Sequence, residues 1–530
     1  MKGLNPFSRI SASPTRPSAR KTTDATFDVA ALVSGPFGAA GEIAGTPSAV
    51  ALDEKLRQAY FWIVNHAVIS PHYDVEYNLT APQPIQFGDS QTPLYLPTDQ
   101  SYSSFILLPL LTFAARRKCL FIGGPGRGKT ASALLMGLLG GYSPKTVRRA
   151  MQHGHPQMTV ADLLGNPMPM DLMQADQESD IRISWRSWLD MRVKIVDEYN
   201  RIPTRTQSAL LTVMGDNYAE MFNQIHECPP AAWYLTANDD QGGGTYQVIE
   251  ALKDRIDVVV QALPFNPRFL DELLVRIEEG VDPADCLPQA LQFSESEMEE
   301  MERAIRAIVL PPALRQRLEF FASQFEFSEY SGQQFEYKSK DTSRLAGVPR
   351  HQLAMMENGR DRLADLGCQT RNGLSVRSLM SLIVYAKAMA YFRGNTEVEL
   401  NDITQMLPFV LHSRLFADAD APFFQQPENA ALLSDKIGWL RHLFQLSCRE
   451  FERQGRHRND EVAALKAKLD EGLDGVSLRE CRKRLEQIER ALQRLATGNK
   501  LSGVVHDDAM TLKYLHQRYS NYQRWLTSQG

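Results

Sequence analysis

Eight consecutive residues carry the first recognisable chemistry in the chain: Gly123-Gly124-Pro125-Gly126-Arg127-Gly128-Lys129-Thr130 fits the pattern G-x-x-x-x-G-K-[ST] without a mismatch. Glycine has no Cβ, so such a loop can wrap a phosphate chain closely enough for successive backbone N–H groups to point at its oxygens, helped by the helix that starts there. The lysine of the pattern reaches the β- and γ-phosphates and the hydroxyl after it holds Mg²⁺. Here those residues are Lys129 and Thr130, and the expected ligands are ATP and Mg²⁺.

A second chemical feature is Val193-Lys194-Ile195-Val196-Asp197-Glu198, an apolar stretch ending in two acids. A carboxylate at a strand end, Asp197, can hold the water shell of the metal, and its neighbour Glu198 can polarise an attacking water. A third is Ala232-Trp233-Tyr234-Leu235-Thr236-Ala237-Asn238, apolar until its final amide. Asn238 at that place can orient the water or touch the γ-phosphate; it is equally a residue type that starts a turn before Asp239-Asp240.

Each of these groups needs an element to aim it. Cys119-Leu120-Phe121-Ile122 precedes the loop as a buried-strand candidate, and Ala131-Ser132-Ala133-Leu134-Leu135-Met136 follows it as a helix former. Arg205 to Met214 carries an apolar stripe at helical spacing through Ala209, Leu210, Val213 and Met214. Strands recurring between helices predict an α/β core with a parallel sheet and the nucleotide at the carboxyl ends of its strands.

The length of 530 residues exceeds what one core can organise and predicts two to four domains. A hydrophobic content of 43% and a charged content of 23% are those of an ordinary globular protein, and a net charge of −5 supplies no general attraction for nucleic acid or anionic membrane. Six dispersed cysteines form no C-x-x-C pair, so neither a zinc cluster nor a disulfide framework is indicated, and a reducing, cytoplasmic setting fits. The longest apolar run, Phe105 to Ala115, is broken by Pro109 and falls short of a membrane span, so it reads as a packed helix or strand. The first residues hold Lys2, Arg9, Arg16, Arg20 and Lys21 with no acid before Asp24; a transit peptide or basic arm is one reading and a disordered tail the other. His153-Gly154-His155 has a spacing seen at metal sites, yet without further ligands these read as surface residues.

Five blocks in order give the chain a resemblance to AAA+ ATPases of the MoxR type, over roughly residues 100 to 410. Asp197-Glu198-Tyr199-Asn200-Arg201-Ile202-Pro203 and Thr206-Gln207-Ser208-Ala209-Leu210-Leu211 resemble D-E-I-N-R-x-P and T-Q-x-A-L-L. Thr236-Ala237-Asn238, Gly244-Thr245-Tyr246 and Val248 to Ile256 resemble T-Q-N, G-T-Y and L-P-E-A-Q-L-D-R-F. The departures are Ala237, Asp239 and Ile249, which replace a glutamine and two prolines and remove no reactive group. The resemblance implies that Asn238 is the sensor 1 residue and that Arg255 is an arginine finger for a neighbouring subunit's nucleotide. A guanidinium on a transferring phosphoryl group stabilises charge that develops in the transition state. An ion pair with Asp254 or Asp257 is the alternative use of Arg255. Gly373-Leu374-Ser375-Val376-Arg377 resembles the lid motif G-x-S-x-R, which makes Arg377 the sensor 2 candidate, acting in its own subunit or a neighbour's.

The expected organisation is a tail and linker over 1–50, an α/β core with an N-terminal extension over 51–262, an all-α lid over 263–425 and a helical partner-binding region over 426–530. Phe325-Glu326-Phe327-Ser328-Glu329-Tyr330 and Phe335-Glu336-Tyr337 alternate with period two, predicting a small strand pair or an exposed loop in the lid. Leu478, Cys481, Leu485, Ile488, Leu492 and Leu495 form an a/d seam after a Ser477/Glu480 capping box, and Leu512, Leu515, Tyr519 and Tyr522 repeat it. That predicts a packed bundle rather than an oligomerising zipper.

The leading function is a Mg²⁺-dependent ATPase. The resemblance implies a homo-oligomeric ring, a hexamer, that remodels or activates a protein client, a partner with a von Willebrand factor A-type domain. The alternative is a nucleic-acid motor or restriction-type translocase on the same core. Against nucleic acid stands residues 451–530, where 15 Lys and Arg interleave with 11 Asp and Glu and leave no basic, aromatic stripe. A scaffold that binds ATP without turning it over is the third reading, opposed by intact Glu198 and Arg255.

Overall fold

The computed structural model describes residues 51–530 apart from 79–80, 90–91, 97–98, 175–180, 239–247, 281, 350–351, 354–364, 457–459, 499 and 530. The expected tail over 1–50 and the Gly244-Thr245-Tyr246 block therefore lie outside the described residues. Two units divide the chain: the described part of Met1–Ala307 with Ala388–Asn395, and Ile308–Lys387 with Thr396–Gly530.

In the first unit the three apolar runs become strands because their residues are buried on both faces, as a parallel sheet demands. These are β1 (Lys118–Ile122), β3 (Val193–Asp197) and β4 (Ala232–Ala237), joined by β2 (Gln152–His153) and β5 (Val258–Gln261). All pairings are parallel and the spatial order is β5-β1-β4-β3-β2. The chain thus leaves β1 toward one edge and returns past it to β5 at the other, so the switch in direction falls at β1, where open α/β sheets bind ligands. Register aligns the carboxyl ends: Ala237 pairs with Ile122, and Leu235 pairs with Val196.

Helices α1 (Leu52–Trp62), α2 (Ser104–Ala115), α3 (Lys129–Leu139), α4 (Thr204–Asp216), α5 (Glu250–Arg255), α6 (Leu270–Glu279) and α7 (Glu295–Ala307) belong to the same unit. The apolar run 105–115 is α2, buried along nearly its whole length. Tyr234 of β4 donates to the Pro109 carbonyl at 2.9 Å, which anchors α2 on the sheet. Among the described residues of 71–102 the strands form short antiparallel pairs, Val75–Tyr77 with Gln100–Tyr102 and Gln83–Ile85 with Leu94–Leu96. Tyr60 of α1 packs edge-on against Tyr102 and Phe392, and its hydroxyl accepts from the Ser103 amide at 2.8 Å.

The second unit is helical: α8 (Pro312–Ala322), most of α9 (Val376–Phe392), α10 (Leu400–Leu411), α11 (Lys436–Arg453), α12 (Glu461–Asp470), α13 (Leu478–Gly498) and α14 (Gly503–Gln529). The a/d seam packs as expected: Cys481, Leu485 and Ile488 of α13 join Leu465 and Leu469 of α12 and Leu512, Leu515 and Tyr519 of α14 in one core.

The period-two segment departs from the strand pair, one of its two expected forms. Its ladder is a single bridge between Phe327 and Ser339, followed by a helix over Lys340–Leu345. Two facing backbone bonds flank the bridge, Ser328 N to Lys338 O at 3.1 Å and Lys340 N to Glu326 O at 2.8 Å, and the pairing ends there because Phe335–Tyr337 turns as a 3-10 helix and Ser339 caps the helix that Lys340 opens. Phe325 and Phe327 are buried, and the buried Lys340 ammonium donates to Gly367 O, Thr370 O and Thr370 Oγ1 at 2.7, 3.0 and 2.8 Å.

Candidate active site

β1 delivers the glycine-rich loop at its carboxyl end, with Gly126 and Gly128 in left-handed backbone (φ 71° and 74°) before α3 begins at Lys129. Arg127 ties the loop down by donating to the Ala262 carbonyl at 2.9 Å, just past β5. Lys129 is 7% exposed, and its ammonium donates to Gly123 O, Gly124 O and Asn238 Oδ1 at 2.5, 2.8 and 2.7 Å. An ammonium has three protons, so each has an acceptor.

Asn238 stands at the end of β4, the neighbour of both β1 and β3, and its amide works in two directions. While Oδ1 receives Lys129, Nδ2 donates to Glu198 Oε1 at 2.9 Å. The other carboxylate oxygen of Glu198 lies 3.4 Å from Arg201 Nη1. Two residues before Asn238, Thr236 Oγ1 donates to Asp197 Oδ1 at 2.5 Å and accepts from the Glu198 amide at 2.9 Å. Thr130 Oγ1 reaches the same Asp197 oxygen at 3.0 Å. A neutral hydroxyl and a carboxylate converging in this way are the hard oxygen donors that Mg²⁺ takes while keeping part of its water shell, so Thr130 and Asp197 fit that ion.

The turn carrying the two acids is itself constrained. Glu198 has φ of 51°, a left-handed conformation costing a side-chain-bearing residue on the order of 1–3 kcal/mol. His153-Gly154-His155 holds this turn: Gly154 N donates to Asp197 O at 2.8 Å, and His153 Nδ1 lies 3.5 Å from Asp197 Oδ2. Both histidines are exposed, as read from the sequence, and no group of three potential metal ligands occurs among the described residues. A Cβ on Gly154 would sit 2.3 Å from the Glu198 carbonyl oxygen. Gly154→Ala is therefore expected to destabilise the unit by about 1–3 kcal/mol through overpacking. Thermal unfolding of the variant checks this, and an unchanged melting temperature would mean that the turn yields freely.

Beside the loop lies a cavity of 460 Å³ whose walls include Val68, Ser104, Gly128, Leu135, Ala262 and Leu273. Its outer wall, residues 67–72, is pinned from the other side of the sequence. His72 Nε2 is 3.0 Å from Pro264 O, Asn266 N donates to Ser70 Oγ at 3.2 Å, and Arg276 of α6 donates to Ala67 O at 3.2 Å. A largely apolar cavity that shares a wall with a phosphate loop suits a flat ring attached to the phosphates. Nothing in the sequence marked 67–72, because the stretch has no periodicity and its partners lie far along the chain. Thr236, Arg201 and His153 were missed as site residues too; a β-branched hydroxyl one pleat before Asn238, on a strand paired with Asp197's, was the available signal for the first.

Of the two arginines taken from the resemblance, Arg255 bonds within the first unit and Arg377 belongs to the second. Arg255, the last residue of α5, donates to the Leu211 carbonyl of α4 and lies 3.6 Å from Asp216. Gly215 makes room for it, since a Cβ there would come within 1.7 Å of Arg255 Nη1. The ion-pair partner of Arg255 is thus Asp216, not Asp254 or Asp257. Arg377, in the second unit, is exposed in the first turn of α9, and the motif serine before it, Ser375, accepts from the Ser378 amide at 3.2 Å as an N-cap does.

Residues 366–435 match the AAA lid domain family. Chaperone MoxR1 of Mycobacterium tuberculosis is 25% identical over 228 residues, 43% of this chain and 51% of that protein, so the match spans about half the length of the curated relative. Among solved structures, an ATPase candidate from Cytophaga hutchinsonii is 18% identical with a TM-score of 0.43, over 64% of this chain and 89% of its own. A full-length MCM homolog from Methanopyrus kandleri is 16% identical with a TM-score of 0.33, over 58% of this chain and 55% of its own.

Proposed function

The chain belongs to the MoxR-type AAA+ ATPases, and on that premise we propose that it binds ATP and Mg²⁺ at residues 123–130, hydrolyses the ATP, and does so as a ring of six copies that remodels or activates a protein partner. The single observation that supports hydrolysis best is the Asn238 amide, which joins the loop lysine to the Glu198 carboxylate. Binding and the water-activating group are thereby wired together in one unit.

In this reading the base of the nucleotide enters the 460 Å³ cavity and the phosphates lie along the backbone of residues 124–128. Lys129 exchanges the carbonyls of Gly123 and Gly124 for phosphate oxygens. Its departure from Asn238 Oδ1 leaves that amide free to fix the attacking water, while Glu198 accepts a proton from the same water. Thr130 and Asp197 hold Mg²⁺, which when bound neutralises charge on the phosphate oxygens. The partner is a protein carrying a von Willebrand factor A-type domain, and the C-terminal helices 426–530 select it. None of the described helices is long and apolar enough to cross a membrane, and the proposed setting is the cytoplasm.

Phosphate release by the purified chain, with Mg²⁺ and with the metal chelated, tests the reading; equal release in both, or none, removes it. Arg255 tests the ring. In its own chain this guanidinium is bonded to α4, so a role as a finger requires the contact with Leu211 and Asp216 to be traded for a neighbour's phosphate. Arg255→Ala is expected to bind ATP normally and to lose roughly 10²–10³-fold in turnover, the magnitude of one transition-state donor. Wild-type turnover with a lowered melting temperature would make Arg255 a clasp for α4 instead.

A further inference from the structure

β2 is the edge strand of the sheet, and a second cavity, of 640 Å³, opens beside it. Arg149, His153, His155, Arg186 and Trp185 line it, with Asp162 as the acid on its wall. Neither the Arg149 nor the Arg186 side chain has a hydrogen bond or ion pair among the described residues. The acid is already engaged: Asp162 Oδ2 accepts from Thr159 N and Thr159 Oγ1 at 2.9 and 2.7 Å, closing the capping box of the helix Val160–Leu164. Those bonds from Thr159 hold its carboxyl below the usual carboxylate range. In a chain of net charge −5, this cavity therefore presents two guanidiniums that close no ion pair among the described residues, Asp162 acting on Arg186 only through its longer-range charge.

Planar guanidiniums facing a polar cavity suit carboxylates, which they bind in a two-pronged geometry. A nucleic acid would also bring anions, but a single strand is held largely by aromatic faces on which its bases stack. One face of the Trp185 ring is already stacked on His226 with centroids 5.2 Å apart, and Trp188 is buried with its indole N–H on Leu163 O at 2.7 Å, so no run of open aromatic faces lines this cavity among the described residues. The inner wall of the cavity reaches the phosphate site: His153 is 3.5 Å from Asp197 Oδ2, and Gly154 N bonds Asp197 O at 2.8 Å.

We propose that this cavity binds an acidic segment of the protein partner, with Arg149 and Arg186 taking its carboxylates, and that His153 and Gly154 pass the occupancy to the turn bearing Asp197 and Glu198. The inference rests on the reading of a protein partner given above. Client binding and ATP turnover would then be coupled through one backbone turn rather than through the loop itself.

Trp185 supplies the readout, with a short polyglutamate peptide as the probe. The expected result is a saturable change in Trp185 emission that weakens with added salt, together with a change in phosphate release at saturating peptide. The double variant Arg149→Glu/Arg186→Glu should bind the peptide at least about tenfold more weakly, since two attractive pairs become repulsive, and should keep its basal phosphate release. In Trp185→Phe the emission change should vanish while binding of a fluorescently labelled peptide persists. Equal binding by the double variant, an emission change that survives in Trp185→Phe, or a single-stranded oligonucleotide that binds more tightly than polyglutamate would each overturn the proposal. A chain that binds the peptide at this cavity but releases no phosphate would instead overturn the hydrolysis reading and leave the cavity assigned.

Discussion

Lys129→Ala is expected to abolish ATP binding at ordinary nucleotide concentrations. The ammonium is a buried cation under the glycine-rich loop, and its three protons, now on Gly123 O, Gly124 O and Asn238 Oδ1, are the donors that phosphate oxygens would receive. Hydrogen bonds to charged groups are each worth about 1.5–3 kcal/mol, so losing two of them corresponds to a Kd raised by roughly 10²–10⁴. The substitution also leaves two loop carbonyls and the Asn238 oxygen without their donor. Some loss of stability, about 1–3 kcal/mol per buried group that water does not reach, is therefore expected alongside. Titration calorimetry with Mg²⁺ and ATP separates the effects when paired with circular dichroism of the unliganded variant. A folded Lys129→Ala protein with wild-type affinity would show that residues 123–130 are not the nucleotide cradle.

Glu198→Gln should do the opposite, keeping binding and stopping turnover. Gln has the same shape and retains an oxygen to accept from Asn238 Nδ2, so the wiring at 2.9 Å can persist. What it lacks is basicity. A positioned general base contributes about 10²–10⁴-fold, and phosphate release should fall by that factor while Kd for ATP stays within about threefold. The Arg201 side, 3.4 Å from the second carboxylate oxygen, loses its counter-charge; that pair is partly exposed and its loss should be worth little. A variant locked in the ATP-bound state is also the better bait for a protein partner. Turnover at the wild-type rate would move the base to another residue, and capture of nucleic acid alone would remove the remodelling function.

Much of the site was legible because its signals are local. Residues 123–130 declare themselves through backbone needs that only glycine meets, and Asp197 and Asn238 through apolar runs that stop on a polar group. The strand ends could be named without knowing the strand order. The helical seam Cys481, Leu485, Ile488 was legible for the same reason, since a 3–4 spacing is a property of one segment. The strand pair considered for Phe325 to Tyr337 shrank to one bridge because, although period two was real, the return limb is taken up by a 3-10 turn at Phe335–Tyr337 and a helix capped by Ser339.

By itself, then, the sequence determined which residue types suit phosphate and metal, and that a parallel α/β sheet presents them. The tertiary structure decided the rest. It decided that Asn238 joins Lys129 to Glu198, that residues 67–72 wall the cavity beside the loop, that His153 leans on Asp197, and that Arg255 rests on α4 over Gly215. Each of these depends on strand order, register or the approach of segments far apart in the chain. Local periodicity carries no information about such meetings, because a strand's burial pattern is the same whichever neighbour it pairs with.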